Sequence, residues 1–442
     1  MVFFGTSGIR DLSPEILDCN FAFKFGQAIS NFKKKFIIGY DGRPTGQMLL
    51  NASIAGLLQQ GKDVYNLDLC TSPTLANYSN KLNTIGIMIT ASHNPLCYNG
   101  IKIFENGKEF DKNKEKKLES ILEKKITTKP VQWNKVGKIF FAQEDAKASH
   151  ISLLEKIFDI NTIKQRKIRI LLDCANLAAV AVAPMMFRKF DAIVLEKNCT
   201  PFLSPDRAIE PNYENLKKLS QEIKNLDIDF AIAFDGDGDR AVVLDEKGEM
   251  IGLDVQLAIA IDYILEKTKA KAVVCTVESS LLIKDIVKKH NAKLFLTPVG
   301  SRNVAIKMRQ TNAVFGGEPC GEYIFKNALS SPDGLATSLL FAEIFSKKES
   351  LHNLKKIYKT YPIKRLKISC QKNQKSLFMK KLEKNWPFKT KLKIDGLMAH
   401  EDWGWVLVRP SGTENFIRIT IEAYTQKDLD QNLKKLEEVI NG

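Results

Sequence analysis

A single rhythm restricts what this 442-residue chain can fold into. Short apolar runs alternate with helical stretches over roughly the first four-fifths of it. Phe36–Tyr40, Asp63–Leu69, Thr84–Thr90, Ile168–Asp173, Ala192–Glu196, Phe230–Phe234, Ala272–Thr276, Lys293–Leu296 and Ala313–Phe315 read as strands. Helical patterns such as 47–60, 74–81 and 145–158 separate them. Strand–helix–strand alternation of this kind builds doubly wound sheets covered by helices on both faces. The rhythm changes after Tyr361-Pro362: Ile363–Ser369, Lys391–Ile394, Trp405–Arg409 and Phe416–Glu422 read as strands, with helices only near 375–383 and 427–439. The expected architecture is α/β, with three doubly wound α/β domains and a smaller C-terminal α+β domain. Seams near the Lys-rich stretch at 124–136, near the turn Asp245-Glu246-Lys247-Gly248 and at Tyr361-Pro362 divide it into residues 1–145, 146–246, 247–361 and 362–442.

Composition narrows the function classes. A hydrophobic fraction of 44% and a charged fraction of 26% exclude a largely disordered chain. The longest apolar stretch, Leu177–Phe187, is too short to span a bilayer and contains Pro184. The 66 Lys+Arg exceed the 51 Asp+Glu by 15. That excess raises a nucleic-acid reading, but the lysines are scattered, and clusters such as 33–35 and 112–117 read as solvated faces. A positive cleft for a small anionic substrate is the simpler expectation. Eight cysteines without a CxxC pair read as reduced thiols, and the N-terminus lacks a signal-peptide pattern; the expected location is cytoplasmic.

Four loops carry candidate chemistry. Thr90-Ala-Ser-His-Asn-Pro95 follows a strand, so Ser92 and His93 sit at a strand's carboxyl end, where α/β sheets bind ligands. The bland alternative is a Ser/Asn turn. Asp235-Gly-Asp-Gly-Asp-Arg240 follows the strand Phe230–Phe234. Its three carboxylates, at alternate positions on a glycine-flexed loop, can converge on one hard divalent cation. An EF-hand would place ligands at Asp235, Asp237, Asp239 and Glu246, but it requires glycine where Arg240 stands. Gly316-Gly-Glu-Pro-Cys-Gly321 offers Glu318 for sugar hydroxyls, or is simply a tight turn. Arg409-Pro-Ser-Gly-Thr-Glu-Asn415, with Arg418 beyond it, has the composition of a phosphate cradle, or of a hairpin with a surface arginine.

Together with Phe4-Gly-Thr-Ser-Gly-Ile-Arg10, these ordered motifs resemble the α-D-phosphohexomutase superfamily of phosphoglucomutases, phosphomannomutases and phosphoglucosamine mutases. The resemblance covers the whole chain, one landmark per domain, and implies four domains around a central cleft. It implies a phosphoserine at Ser92, and Mg²⁺ on Asp235, Asp237 and Asp239 with Ser92. Arg10, His93, Lys102 and Arg240 become catalytic candidates, with Lys102, from Tyr98-Asn-Gly-Ile-Lys102, as general acid/base and His93 second. Thr297, Gly300, Glu318 and Cys320 would face the sugar. Arg409, Ser411, Gly412, Thr413, Asn415 and Arg418 would hold the phosphate that is not reacting.

The implied reaction moves phosphate reversibly between O1 and O6 of a hexose or hexosamine through a 1,6-bisphosphate. The implied partner is a small phosphosugar, with no nucleic acid and no membrane, for a monomer or homodimer. Two departures stand out: Arg10-Asp11 where the family has Arg-Gly, and Glu318-Pro-Cys-Gly-Glu322 where many relatives have Glu-x-Ser-Gly-His. The latter form resembles archaeal-type phosphoglucosamine mutases. A Mg²⁺ phosphatase with an aspartate nucleophile would explain Asp235 and Asp237 but neither the serine loop nor the cradle. A non-enzymatic basic binding protein would need none of the loops.

Overall fold

The computed structural model describes residues 4–5, 8–124, 129–411 and 415–441. The chain forms two compact units, Met1–Ile251 with Cys320–Leu354, and Gly252–Pro319 with Lys355–Gly442.

The first unit holds two sheets. In the larger, Lys35–Tyr40 pairs in parallel with Asp63–Leu69 on one side and Ile85–Ile89 on the other. Phe36, Ile37 and Ile38 are fully buried, as expected of a parallel strand covered on both faces. Helices Cys19–Ile29, Gly46–Gln59 and Ser72–Lys81 supply that cover. Beyond Ile85–Ile89 the sheet turns antiparallel through Tyr98–Glu105 and Ile9–Leu12. In the smaller sheet, Arg169–Asp173 lies in parallel between Ile193–Lys197 and Phe230–Phe234, and Ala241–Leu244 closes it antiparallel. The loops Thr90–Pro95 and Asp235–Arg240 leave the carboxyl ends of Ile85–Ile89 and Phe230–Phe234.

In the second unit, Ala272–Thr276 pairs in parallel with Lys293–Thr297 and Phe315–Gly317. Leu253–Thr268, Leu281–Lys289 and Ser301–Thr311 are its helices. An antiparallel sheet follows, in the order Ile363–Ser369, Phe416–Ala423, Gly404–Pro410, Leu397–Glu401. Its apolar face packs with helices Lys375–Lys384 and Gln426–Asn441 around Val406, Val408, Ile419 and Ile421. The expected strand at 391–394 is displaced: Leu392 makes one isolated bridge to Met398, and the strand is Leu397–Glu401. Asp395 and Gly396 both have positive φ (57° and 127°), so the chain turns immediately after the run that alternates Lys and Leu/Ile. No helix among the described residues is long and apolar enough to cross a membrane.

Candidate active site

Ser92 occupies a left-handed conformation with φ 52° and is almost fully buried. Such a conformation is costly for a non-glycine residue and persists only where the surroundings over-determine it. Here two residues that sequence reading passed over do so. Arg43 donates from Nη2 to the carbonyls of Ser92 (2.5 Å) and Asn94 (2.8 Å), and from Nη1 to those of Pro95 (2.7 Å) and Tyr98 (2.9 Å). Its Nε donates to Asp41 Oδ2 at 2.9 Å, which also accepts from Thr90 Oγ1 at 2.6 Å. Thr90 Oγ1 in turn accepts from the Ser92 N–H at 2.8 Å. The signal was present: Asp41-Gly-Arg43 stands directly after the strand Lys35–Tyr40, at the same sheet end as Ser92.

The Ser92 hydroxyl donates to Asp235 Oδ2 at 2.9 Å and lies 3.3 Å from His93 Nδ1. Asp235, Asp237 and Asp239 are all buried, each with a ligand oxygen within 4.8 Å of the others. Asp235 Oδ1 accepts from the Gly238 and Arg240 N–H groups, which curls the loop. Gly238 has φ 71°, and a Cβ at Gly236 would lie 2.3 Å from the Ser92 carbonyl oxygen. Glycine at 236 therefore lets the acidic loop close against the serine loop. Lys102 Nζ donates to Asp237 Oδ2 (2.6 Å) and Asp239 Oδ2 (2.7 Å), and Ser72 Oγ donates to Asp237 Oδ2 at 2.5 Å.

A cation fits this cluster. Asp237 Oδ1 and Asp239 Oδ1 are buried with no hydrogen-bond partner among the described residues. Burial and the charge of Asp237 push the Asp235 carboxyl up to about 6, and the same causes raise Asp239. At Asp237, burial is outweighed by Lys102 and Ser72, and its carboxyl is held low. Burial would likewise lower Lys102, but Asp237 and Asp239 more than offset it and raise its ammonium above the usual range.

Arg10 Nη1 donates to Asn94 Oδ1 at 3.2 Å. Arg240 donates from Nε (2.9 Å) and Nη2 (2.7 Å) to Glu322 Oε1, so the carboxylate that departs from the family pattern neutralises the arginine of the acidic loop. The Arg240 charge, burial, Arg10 and Lys102 push the His93 imidazole down to about 2, so it is neutral. Ser92, His93, Arg10, Lys102, Arg240 and the three aspartates are thus gathered in the first unit, where half-buried Cys320 also falls.

The second unit holds the other candidates. Thr297 ends the strand Lys293–Thr297, and buried Glu318 accepts from the Gly300 N–H at 3.0 Å. Arg409 and Arg418 face each other in register across the antiparallel pair. Arg409 Nε donates to Glu278 Oε1 at 2.8 Å and Nη1 to Asp395 Oδ2 at 3.3 Å. The Ser411 carbonyl accepts from Lys375 Nζ at 2.6 Å, and the Asn415 carbonyl from the Cys370 N–H at 2.9 Å. Gly412 and Thr413 lie outside the described residues.

Four family models match the chain. Three describe the phosphoglucomutase/phosphomannomutase α/β/α domains I, II and III, at residues 1–129, 148–248 and 253–361, and one the C-terminal domain, at residues 347–439. A phosphoglucosamine mutase of Methanocaldococcus jannaschii is 37% identical, covering 98% of this chain and 96% of its own. A probable phosphoglucosamine mutase of Pyrococcus furiosus is 34% identical, with the same coverage, 98% and 96%. Among solved structures, a phosphoglucomutase/phosphomannomutase family protein from Burkholderia thailandensis superposes with a TM-score of 0.86 at 21% identity, covering 100% of this chain and 97% of that one. A putative phosphomannomutase from Thermus thermophilus gives 0.82 at 20% identity, covering 100% and 99%.

Proposed function

This chain belongs to the phosphoglucomutase/phosphomannomutase family, and we propose that it moves phosphate between O6 and O1 of glucosamine through a phosphoserine at Ser92. One observation carries the reading: a buried serine hydroxyl, held in a strained loop, hydrogen-bonded to one of three clustered carboxylates. The names of relatives 34–37% identical over nearly the whole chain support the amino sugar.

In the forward direction, the sugar O1 attacks phosphorus on phosphorylated Ser92. The P–Oγ bond breaks, the hydroxyl loses its proton and Ser92 regains one, giving the 1,6-bisphosphate. After the intermediate turns over, Ser92 Oγ gives up its proton and attacks the O6 phosphorus; the P–O6 bond breaks and O6 takes a proton, releasing the 1-phosphate. Phosphoryl transfer of this kind needs positioning and charge neutralisation more than covalent help. Arg10, Lys102 and Arg240 supply fixed positive charge. Asp235, Asp237 and Asp239 would hold Mg²⁺, which supplies further charge neutralisation beside the serine phosphate. In the second unit, Arg409, Ser411, Asn415 and Arg418 bind the phosphate that is not reacting, and Thr297, Gly300 and Glu318 meet sugar hydroxyls.

Intact mass spectrometry of the purified protein should show a species heavier by one phosphate. Ser92→Ala should abolish both that species and turnover of glucosamine 6-phosphate. Full activity in Ser92→Ala would refute the phosphoserine. Faster turnover of mannose or glucose phosphates than of glucosamine phosphate would refute the amino sugar alone.

A further inference from the structure

In the second unit the proposed phosphate-binding arginine is already occupied. Arg409 spends Nε on Glu278 and Nη1 on Asp395, at 2.8 and 3.3 Å. Neither acid belongs to the arginine's own loop. Glu278 follows the parallel strand Ala272–Thr276, and Asp395 stands in the left-handed turn before Leu397–Glu401. Asp395 Oδ2 also accepts from the Val299 N–H at 3.2 Å, within the Thr297–Gly300 loop. The adjacent Gly300 N–H is held by Glu318 at 3.0 Å. One run of polar contacts therefore joins the residue proposed for sugar hydroxyls to the residue proposed for phosphate.

The charges give this arrangement its meaning. Arg409 and Arg418 lie opposite each other on neighbouring strands, and Lys375 Nζ rests on the Ser411 carbonyl. Like charges directly opposite on a sheet repel, and a bound dianion would relieve them. Glu278 and Asp395 both lie on Arg409 itself and offset its charge. A phosphate dianion arriving at Arg409 must compete with two carboxylates already hydrogen-bonded to the guanidinium. The arginine, glutamate and aspartate side chains are only 15%, 26% and 29% exposed, so solvent screens the competition weakly.

We propose that Glu278 and Asp395 are positioning residues that deliberately weaken the grip of Arg409 on phosphate. The inference rests on the mutase reading and extends it. A mutase differs from an ordinary phosphotransferase in what this subsite must do. Within one turnover it holds one phosphate, lets it go and accepts the other. A grip stronger on the bound bisphosphate than on the state in which it turns would trap it and slow its reorientation. Two carboxylates that reoccupy the arginine as phosphate leaves keep the exchange close to balanced.

The test uses the full-length protein with Glu278→Gln and Asp395→Asn. Both variants keep shape and an acceptor while removing one negative charge, and Asn tolerates the left-handed conformation at 395. Calorimetry with inorganic phosphate and with glucosamine 6-phosphate should show binding about threefold to tenfold tighter in each variant, which is roughly 0.6–1.4 kcal/mol. In the mutase assay KM should fall together with kcat. If the acids merely align Arg409, both ligands bind more weakly and KM rises, which overturns the proposal; unchanged affinity overturns it equally. A chain that turns over no phosphosugar but still binds phosphate more tightly in the variants would refute the mutase reading and leave the competition at Arg409 standing.

Discussion

Arg43→Met should be among the most damaging single changes in the first unit. It removes five hydrogen bonds of 2.5–2.9 Å and leaves fully buried Asp41 without its cation. Breaking a buried ion pair from one side costs about 3–5 kcal/mol. The enclosed Ser92 carbonyl adds about 1–3 kcal/mol if it finds no other donor. Water can reach the carbonyls of Asn94, Pro95 and Tyr98, so they add little. The sum, about 4–8 kcal/mol, is a large share of the 5–15 kcal/mol typical of a domain. Burial already raises the Asp41 carboxyl, and Arg43, with the Thr90 hydroxyl, opposes that rise. Without the guanidinium the folded-state pKa climbs further, so the deficit is full at neutral pH and shrinks as acid protonates Asp41. Urea unfolding of wild type, Arg43→Met and the pair Asp41→Asn/Arg43→Met reads this directly. The pair should recover roughly half the loss, because no bare charge remains, yet it should stay poorly active since nothing grips the Ser92 carbonyl. A single-variant cost below about 1 kcal/mol, or losses that simply add in the pair, would refute the reasoning.

Gly236→Ala places a Cβ 2.3 Å from the Ser92 carbonyl oxygen and so drives the acidic loop off the serine loop. Steady-state kinetics should show kcat reduced at least about a hundredfold, as expected of a displacement near 1 Å. Mg²⁺ affinity, followed by calorimetry, should rise with pH through about 6, as the raised Asp235 carboxyl gives up its proton, and binding should release protons below that value; an affinity flat from pH 5 to 7.5 would count against this ligand.

Much of this site was legible because its chemistry is local in sequence. Ser92 and the three aspartates stand in short loops directly after apolar strands, and their spacing alone puts the carboxylates on one curl. The residues that sequence reading missed act across long separations. Arg43 reaches carbonyls about 50 residues away, Ser72 reaches Asp237 at a separation of 165, and Glu278 meets Arg409 at a separation of 131. No local pattern announces such partners. The strand Tyr98–Glu105 was not among the expected strands, and it contains Asn99-Gly100, a pair that favours turns. In the sheet, a Cβ at Gly100 would stand 2.2 Å from the Ile9 carbonyl oxygen, so the glycine marks a close strand approach rather than a reversal. Glu322 was visible as a departure from the family pattern, but its partner was not. Its Oε1 accepts from Arg240 Nε and Nη2.

The two residues considered for proton transfer differ sharply in protonation. Lys102 is clasped by Asp237 and Asp239 and keeps its proton, so it begins as a donor and a fixed charge. His93 lies 3.3 Å from Ser92 Oγ with its imidazole neutral at every physiological pH, so it begins able to accept. A base held so far below neutrality is weak, which counts against His93 as the principal proton acceptor. Lys102 can change roles only if the pull of its two carboxylates is reduced, since they are what outweighs its burial. A cation sharing Asp237 and Asp239 would do that, and Lys102 would then fall toward the range where an amine can accept a proton. On the proposed mechanism, proton transfer by Lys102 and metal binding by the aspartates would be one coupled equilibrium, and Lys102→Met should strengthen Mg²⁺ binding while lowering kcat, with weaker Mg²⁺ binding in that variant as the contrary result.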